Sequence, residues 1–441
     1  MITLFFIVVL LLTLLCLAFL GDNRELTSPT FAFLAPLILT IIVSMTFQKK
    51  WGLELASGTA FVLLIGPLFF FFGTRLGKII NIKREMDCAK FPVIPSKIRL
   101  IGLFIFQVGT IILTFKTLIA IYGGGTLSVI LGSARTSNTT NDQELILPGY
   151  LSFFNAISFI SGVIMAILIA YCLVHRESSN LKKLIANYFL SILASLLSGS
   201  RGIALILLSV LVCSLLMENA QKYNWKKTIP MKYLILFFAV AMLIFFNFQN
   251  ITVLLGQIQA QDIKFEDYIS IYIGAQVKNI DIAIQNREIA TSKVFAQETA
   301  RSCVQIVAKI IGNPKWTNYR LHLPMRYYNG VSLGNVCTTF YSFLEDFGYA
   351  GVFTMPALMG VISEIVYKKA KYANRKCPVN IWNMIWGIMF YTLLFSFFSN
   401  KFYEMFFSTS FVKYIICMWI LKWFLYQDFK KVPVPKLRVR I

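Results

Sequence analysis

The sequence lacks the motifs that would bring a nucleotide or a metal ion to this chain. It has no Gly-x-x-x-x-Gly-Lys-Ser/Thr phosphate loop, no His-Glu-x-x-His, no Cys/His metal spacing and no Asp-x-Asp pair. These absences exclude an ATP-driven pump, and they predict neither a cofactor nor a metal site. A substrate of this protein is therefore expected to be already activated and to be delivered in the membrane.

Charged residues are also scarce, at 14%, while 57% of the residues are hydrophobic. With a mean hydropathy of +0.69, this composition excludes a soluble globular chain. Apolar runs recur at the length that a bilayer requires, about 20 residues. The sequence predicts an all-α polytopic membrane protein with about eleven spans, within a range of about ten to thirteen. The predicted spans are residues 2–20, 31–47, 55–73, 99–122, 150–174, 184–198, 203–217, 231–249, 347–367, 381–399 and 407–426.

The net charge of +22 is concentrated in short connections on one side of these spans. Such an arrangement follows the positive-inside rule, so the charge indicates topology and no nucleic-acid partner. It places the C-terminus in the cytoplasm and, with eleven spans, the N-terminus outside. Lys49 and Lys50 then lie outside, against the rule. The eight cysteines lie mostly within spans or on the inner side, and they predict no disulfide framework.

Three regions follow from this pattern. Residues 1–249 form a membrane region with eight predicted spans, and residues 335–441 form one with three spans and a cytoplasmic tail. Between them, residues 250–334 form a large outward loop with nine basic and six acidic residues, a formal charge of +3. No other connection is long enough to fold over a site, so we expect any chemistry at this membrane face.

One part of the loop, SCVQIVAKIIG, has the pattern of an amphipathic helix. Val304, Val307, Ile310 and Ile311 fall on one face of such a helix. Two interpretations stay open at this point. The helix lies along the membrane surface as a lid, or it packs within the loop in the ordinary way.

Arg201 stands in the turn Ser-Gly-Ser-Arg-Gly between two short apolar runs of about fifteen residues. Each run covers about 22 Å, less than the thickness of the hydrocarbon core, so the turn is predicted below the outer surface. An arginine at that depth requires a compensating group, which predicts an anion such as phosphate. Snorkelling to the interface and a structural ion pair are the alternatives.

Further arginines lie in the predicted outward loops, at Arg135, Arg320 and Arg326. The planar guanidinium binds paired oxygens and stays charged, which suits pyrophosphate. His322 is the single outward histidine, and a lone loop histidine is more typical of a surface residue than of a base.

Two carboxylates, Glu345 and Asp346, stand at the entry of the ninth predicted span. If residues 338–347 are helical, Thr338, Tyr341 and Glu345 share one face, which places a carboxylate beside hydroxyls. Partial burial would raise the proton affinity of such a carboxylate towards that of a working base. We therefore predict Glu345 and Asp346 as catalytic candidates, with Glu345 first as base or acceptor-binding group and Asp346 as structural at the helix start. The alternative is a charge that complements the helix macrodipole.

Two segments, the SGSRG turn and GNVCTTFYSFLEDFGYAGV, together with a large late loop, resemble the O-antigen polymerase family of bacterial repeat-unit polymerases. The resemblance implies a metal-independent glycosyltransferase of the bacterial inner membrane. It would join undecaprenyl-pyrophosphate-linked oligosaccharide repeat units at the periplasmic face, among membrane lipids and with a chain-length regulator as a protein partner. Asn335 and Tyr341, in the second segment, complete the expected substrate-binding set with Arg135, Arg201, Arg320 and Arg326.

Two other functions fit a basic polytopic chain. The O-antigen ligase family relies on a loop histidine followed by asparagine, whereas His322 is followed by Leu323. A polysaccharide flippase or transporter would place ionisable groups near the bilayer midplane and show paired repeats. Here the polar residues gather at one face and no repeat is apparent.

Overall fold

The computed structural model describes residues 2–82, 94–126, 128–133, 147–197, 201–225, 264–313, 316, 323–373 and 378–426. Within these ranges the chain is almost entirely helical, with one small antiparallel hairpin. The helices are α1 (Ile2–Gly21), α2 (Pro29–Thr46), α3 (Ser57–Ile79), α4 (Lys97–Tyr122), α5 (Gly149–His175), α6 (Leu181–Leu197), α7 (Arg201–Lys222), α8 (Phe265–Gln285), α9 (Arg301–Ile311), α10 (Phe340–Lys371), α11 (Ile381–Leu394), α12 (Lys401–Phe406) and α13 (Thr409–Tyr426). The strands are β1 (Arg326–Tyr328) and β2 (Val331–Gly334).

Eight helices among the described residues are long and apolar enough to cross a membrane: α1, α2, α3, α4, α5, α7, α10 and α13. The shorter apolar helix α11 and the 17-residue α6 coincide with two further predicted spans. The span predicted at 231–249 lies outside the described residues. The helical membrane protein expected from hydropathy is confirmed, and the figure of eleven spans stays a prediction.

Helices α3 and α10 make the closest pair in the bundle, because small residues let their backbones approach. A Cβ atom added at Gly73 would lie 2.1 Å from the carbonyl oxygen of Ala357, and one at Gly360 would lie 2.4 Å from that of Phe70. Small residues at such crossings are typical of helix pairs in membranes. Helix α5 is the most enclosed candidate span among the described residues, with 83% of its apolar 18-residue stretch buried. The hydrophobic core therefore surrounds α5. Helix α10 is connected to this core through the helices that pack beside α10.

The bundle has two polar ends. We call the end formed by residues 47–56, 264–313, 323–348 and 395–408 the loop end, and the end formed by residues 21–28, 75–82, 218–225 and 364–373 the basic end. Helices α1, α2 and α3 alternate between them, since Asp22 pairs with Lys78 at one end and Lys50 with Asp267 at the other. The Lys50–Asp267 pair gives the lysine that opposed the positive-inside rule a nearby compensating charge. That the basic end faces the cytoplasm stays a prediction from the charge pattern.

The basic end is held by ion pairs between helix ends. Asp22, whose side chain is 3% exposed, accepts a 2.7 Å hydrogen bond from Arg75 Nη1 and pairs with Lys78. Glu25 pairs with Lys371 and accepts a 2.5 Å hydrogen bond from the Tyr367 hydroxyl. These contacts join the α1–α2 connection to the last turns of α3 and α10.

Asp22→Asn is expected to lower the free energy of unfolding by roughly 3 kcal/mol, because it leaves two cations beside a buried site that no longer carries a charge. Thermal unfolding in detergent micelles measures the effect. Glu404→Gln is the matched control, since the Lys401–Glu404 pair is exposed by 33% and 39%. Such a surface pair contributes less than about 1 kcal/mol. Equal shifts in the two variants would contradict a stabilising role for the basic-end network.

Candidate functional site

At the loop end, a break in α10 separates its first two turns, which carry two carboxylates, from the longer apolar part. Gly348 has φ 63° and ψ −152°, a backbone conformation that is essentially confined to glycine. Because the helix is interrupted there, carbonyl groups of the preceding turn accept hydrogen bonds from other parts of the chain. Leu344 O accepts a 2.9 Å hydrogen bond from Ala290 N, and Glu345 O accepts one of 3.2 Å from Ser292 N. The loop is thus docked directly onto the segment that carries Tyr341, Glu345 and Asp346.

Glu288 and Arg326 form a two-point ion pair in this site. Arg326 begins β1 beside a bulge in the hairpin, and its side chain is 5% exposed. Its Nη1 and Nη2 donate to Glu288 Oε1 and Oε2 at 3.2 and 2.7 Å, a two-point contact. Burial acts to raise the pKa of Glu288, but the hydrogen bond and charge of Arg326 outweigh it and hold this pKa below its ordinary value.

Tyr341 connects this pair to Glu345. Its hydroxyl donates to Glu288 Oε2 at 3.3 Å, and the Glu345 carboxylate, one helical turn away, lies close enough to act on it electrostatically. The Thr291 hydroxyl lies 3.5 Å from Glu345 Oε1. A tyrosine hydroxyl has a single proton to donate, so it satisfies one of the two carboxylates at a time. The other carboxylate is then suited to accept a proton or hydrogen bond from a substrate hydroxyl.

Asp346 has a different set of contacts. Its Oδ1 accepts from the Ser292 hydroxyl at 2.6 Å and from Glu298 N at 2.9 Å. Its Oδ2 accepts from Thr299 N at 2.6 Å. Both oxygens are therefore engaged by the loop rather than by the first turn of α10. This geometry favours a positioning role, in which Asp346 fixes the turn that precedes α9.

Glu298, on that turn, is a buried carboxylate close to Glu345 and Asp346. Its side chain is 5% exposed and pairs with Arg301 Nη2 at 2.7 Å. Burial raises the pKa of Glu298 from 4.5 to about 7, with repulsion from Glu345 and Asp346 in the same direction and the Arg301 charge opposing. The site thus contains a carboxyl group that titrates near neutrality.

Glu298→Gln is expected to change the pH dependence of stability. Because the folded state binds the proton more tightly than the unfolded state, the contribution of Glu298 is full below pH 4.5 and is lost as the pH rises towards about 7. An amide does not titrate, so the variant should gain roughly 3 kcal/mol relative to the unmodified protein between acidic and mildly alkaline pH. Unfolding midpoints across that window measure the difference.

Glu266→Gln serves as the control for this experiment, since Glu266 is exposed at the start of α8 and solvated in both states. Its curve should run parallel to that of the unmodified protein. A parallel curve for Glu298→Gln as well would show that burial of Glu298 does not affect its titration.

The structure brings together three of the predicted residues, Arg326, Tyr341 and Glu345, with Asp346 beside them. Asn335 is half-buried just after β2, where Asn279 Nδ2 donates to the flanking carbonyls of Leu333 and Val336. Helix α10 begins at Phe340, so Thr338 precedes its first turn and does not share the predicted helical face. Outside the described residues lie Arg135, Arg320, His322 and the side chain of Arg201, which begins α7.

Three members of the site were not singled out from the sequence: Glu288, Glu298 and Arg301. In the described part, four carboxylates meet two guanidinium groups, which leaves an excess of negative charge. Such a cluster suits hydroxyl groups better than phosphate. The guanidinium fork of Arg326 is moreover engaged by both carboxylate oxygens of Glu288.

A second polar feature lies at the basic end, a cleft of about 250 Å³ between the ends of α1, α3 and α10. Its lysines and carboxylates are largely joined to one another, and Lys368 Nζ donates to the carbonyls of Lys78 and Ile80 at the end of α3. These contacts explain the cleft as a junction between helices.

Comparison of the chain with protein-family models, with curated proteins and with solved structures finds no match.

Proposed function

We propose that the protein polymerises undecaprenyl-pyrophosphate-linked oligosaccharide repeat units into an O-antigen-type polysaccharide. The observation that supports this most is the Tyr341–Glu345 contact inside a half-enclosed carboxylate cluster at one end of a helical membrane bundle. A carboxylate beside hydroxyl groups, roofed by a docked loop, is what transfer to a sugar hydroxyl requires. In this proposal the loop end faces the periplasm, and the bundle lies in the bacterial inner membrane with a cytoplasmic C-terminus.

The reaction balances without a cofactor. The acceptor sugar hydroxyl attacks the anomeric carbon of the donor glycan, and the bond from that carbon to the pyrophosphate oxygen breaks. The electron pair of that bond leaves with the lipid pyrophosphate, and Glu345 takes the hydroxyl proton. Holding two lipid-linked substrates side by side supplies a large part of the acceleration through proximity.

In this proposal, one group of residues binds the acceptor sugar and another binds the departing pyrophosphate. The described carboxylate cluster binds the acceptor sugar, with Asn335 and Tyr341 at its edge and Asp346 fixing the loop. Arg135, Arg201 and Arg320 bind the departing pyrophosphate and stabilise its charge, as donors of an oxyanion site do. Membrane lipids and a chain-length regulator are the proposed partners.

Reconstitution tests the proposal. Purified protein in lipid vesicles, given lipid-linked repeat units and no nucleotide, should produce a ladder of products that differ by one repeat unit. Deletion of the gene should correspondingly leave surface polysaccharide with a single repeat unit. Transfer only onto added lipid A core would identify a ligase instead. Movement of the lipid-linked unit across the vesicle membrane with no new glycosidic bond would identify a flippase.

A further inference from the structure

Helix α9 has an apolar face that the described part of the protein leaves uncovered. Val304, Val307, Ile310 and Ile311 share that face, while Arg301, Gln305 and Lys309 lie on the other. Ile310 is 79% exposed and Ile311 62%, and Val307 is exposed as well. A water-soluble protein would bury such a row of branched side chains, so something outside the described residues is expected to cover it.

The position of α9 indicates what covers it. Cys303 Sγ lies 3.3 Å from the carbonyl oxygen of Phe407, directly before α13. The preceding turn is tied to the same place, because Asn400 Nδ2 donates to Thr299 O at 3.1 Å. Helix α9 therefore starts beside the end of α13 that belongs to the loop end.

Helix α13 itself is exposed along most of its length, so in a bilayer this surface would face lipid. It is a candidate span of which only 22% is buried. Its exposed residues Val412, Ile416, Trp419 and Trp423 follow one another at spacings of three and four, along a single helical face. The uncovered face of α9 thus begins where this lipid-facing surface ends.

We propose that α9 is an interfacial helix whose apolar face lies in the lipid bilayer at the loop end. A short amphipathic helix with branched apolar residues on one face and an exposed lysine beside it is suited to the boundary between head groups and acyl chains. Lys309, which is exposed, lies at the level of the lipid phosphates.

The docking fixes the height of the carboxylate cluster above the membrane. Arg301 is the first residue of α9 and pairs with Glu298, whose backbone N–H donates to Asp346. Two residues separate this rigid turn from the lipid-docked helix, so the cluster is held at head-group level. That this height matches a lipid-linked glycan rests on the proposed function, whereas the docking itself does not.

Quenching of a fluorescent label tests the docking. In the full-length chain with its native cysteines replaced, Ile310→Cys and, as the matched control, Lys309→Cys are labelled with the environment-sensitive dye NBD. Each protein is placed in vesicles of phosphatidylethanolamine and phosphatidylglycerol at low protein content. A doxyl-labelled phospholipid should quench the label at 310 several-fold more than the label at 309, while aqueous iodide should quench 309 more than 310.

Two results would overturn the proposal. Equal quenching of both positions by iodide would place the apolar face in water. Protection of position 310 from both quenchers would show that protein covers it, such as a second copy of the chain. Position 311 gives a second label on the same face if substitution at 310 prevents folding. Lipid quenching in a protein that does not extend glycans would retain the docking and reject the proposed activity.

Discussion

Glu345→Gln should abolish chain extension while the protein remains folded and still binds its substrates. The amide keeps the shape of the side chain and its place beside Tyr341 and Thr291, but it cannot accept the proton of the attacking hydroxyl. Loss of a general base lowers a rate by roughly 10²–10⁴-fold. Extension of purified lipid-linked repeat units by the reconstituted variant, analysed on a gel, measures the effect.

Asp346→Asn is the informative comparison, because the two carboxylates are adjacent in sequence and differ in their contacts. The amide nitrogen of an asparagine cannot accept from Glu298 N or Thr299 N, so the turn before α9 should loosen. Reduced activity is expected together with a lower unfolding midpoint. Full activity in Glu345→Gln and an inactive but stable Asp346→Asn would reverse the two roles. Normal extension by both would leave the departing pyrophosphate as the proton acceptor.

Arg326→Met is expected to lower the free energy of unfolding by about 3 kcal/mol, since it leaves the Glu288 carboxylate in the site without its cation. The double variant Arg326→Met/Glu288→Gln should recover most of this loss because no unpaired charge remains. Unfolding midpoints of the two single variants and the double variant complete the cycle. A double variant as unstable as the sum of the single ones would show that the two side chains act independently.

The same three variants separate two roles for Arg326. If Arg326 positions Glu288 and Tyr341, the double variant should extend glycans no more slowly than Glu288→Gln alone. If its guanidinium instead binds pyrophosphate during the reaction, the double variant should stay inactive after its stability is restored. The contacts of Arg326 lead us to expect the first result.

Hydropathy predicted the membrane helices well, because the bilayer imposes one length and one composition on every span. Helix α8 shows where this signal fails. Its sequence looks like a solvated loop, yet Lys278 and Asp281 are buried, and each has a hydrogen-bond partner in another part of the chain. Lys278 Nζ donates to Gly52 O at 2.7 Å, and Asp281 Oδ1 accepts from the Thr59 hydroxyl at 2.7 Å. A hydropathy profile detects these charges but not their hydrogen-bond partners, which are more than two hundred residues away in the sequence.

The site was predictable to a similar extent. The spacing of Tyr341 and Glu345 along one helical turn is a local property, and the structure places them in contact. The Glu288–Arg326 pair, 38 residues apart, depends on how α8 and the hairpin come together. The helix predicted around Val304–Ile311 is confirmed as α9, and its place beside α13 depends on tertiary contacts of the same kind.

The break at Gly348 affects how a mutational scan of this protein should be interpreted. No side chain other than that of glycine fits φ 63° and ψ −152° without strain, so nearly every substitution there should release the loop from Leu344 O and Glu345 O. Such variants would be scored as inactive, as variants of the carboxylates would be, although glycine has no side chain that could take part in chemistry. A screen that records activity alone would therefore count a backbone requirement as a catalytic one. Scoring abundance in the same library would not separate them either, because a loop can detach while the membrane bundle stays intact. Accessibility of the loop to a protease does distinguish the two classes.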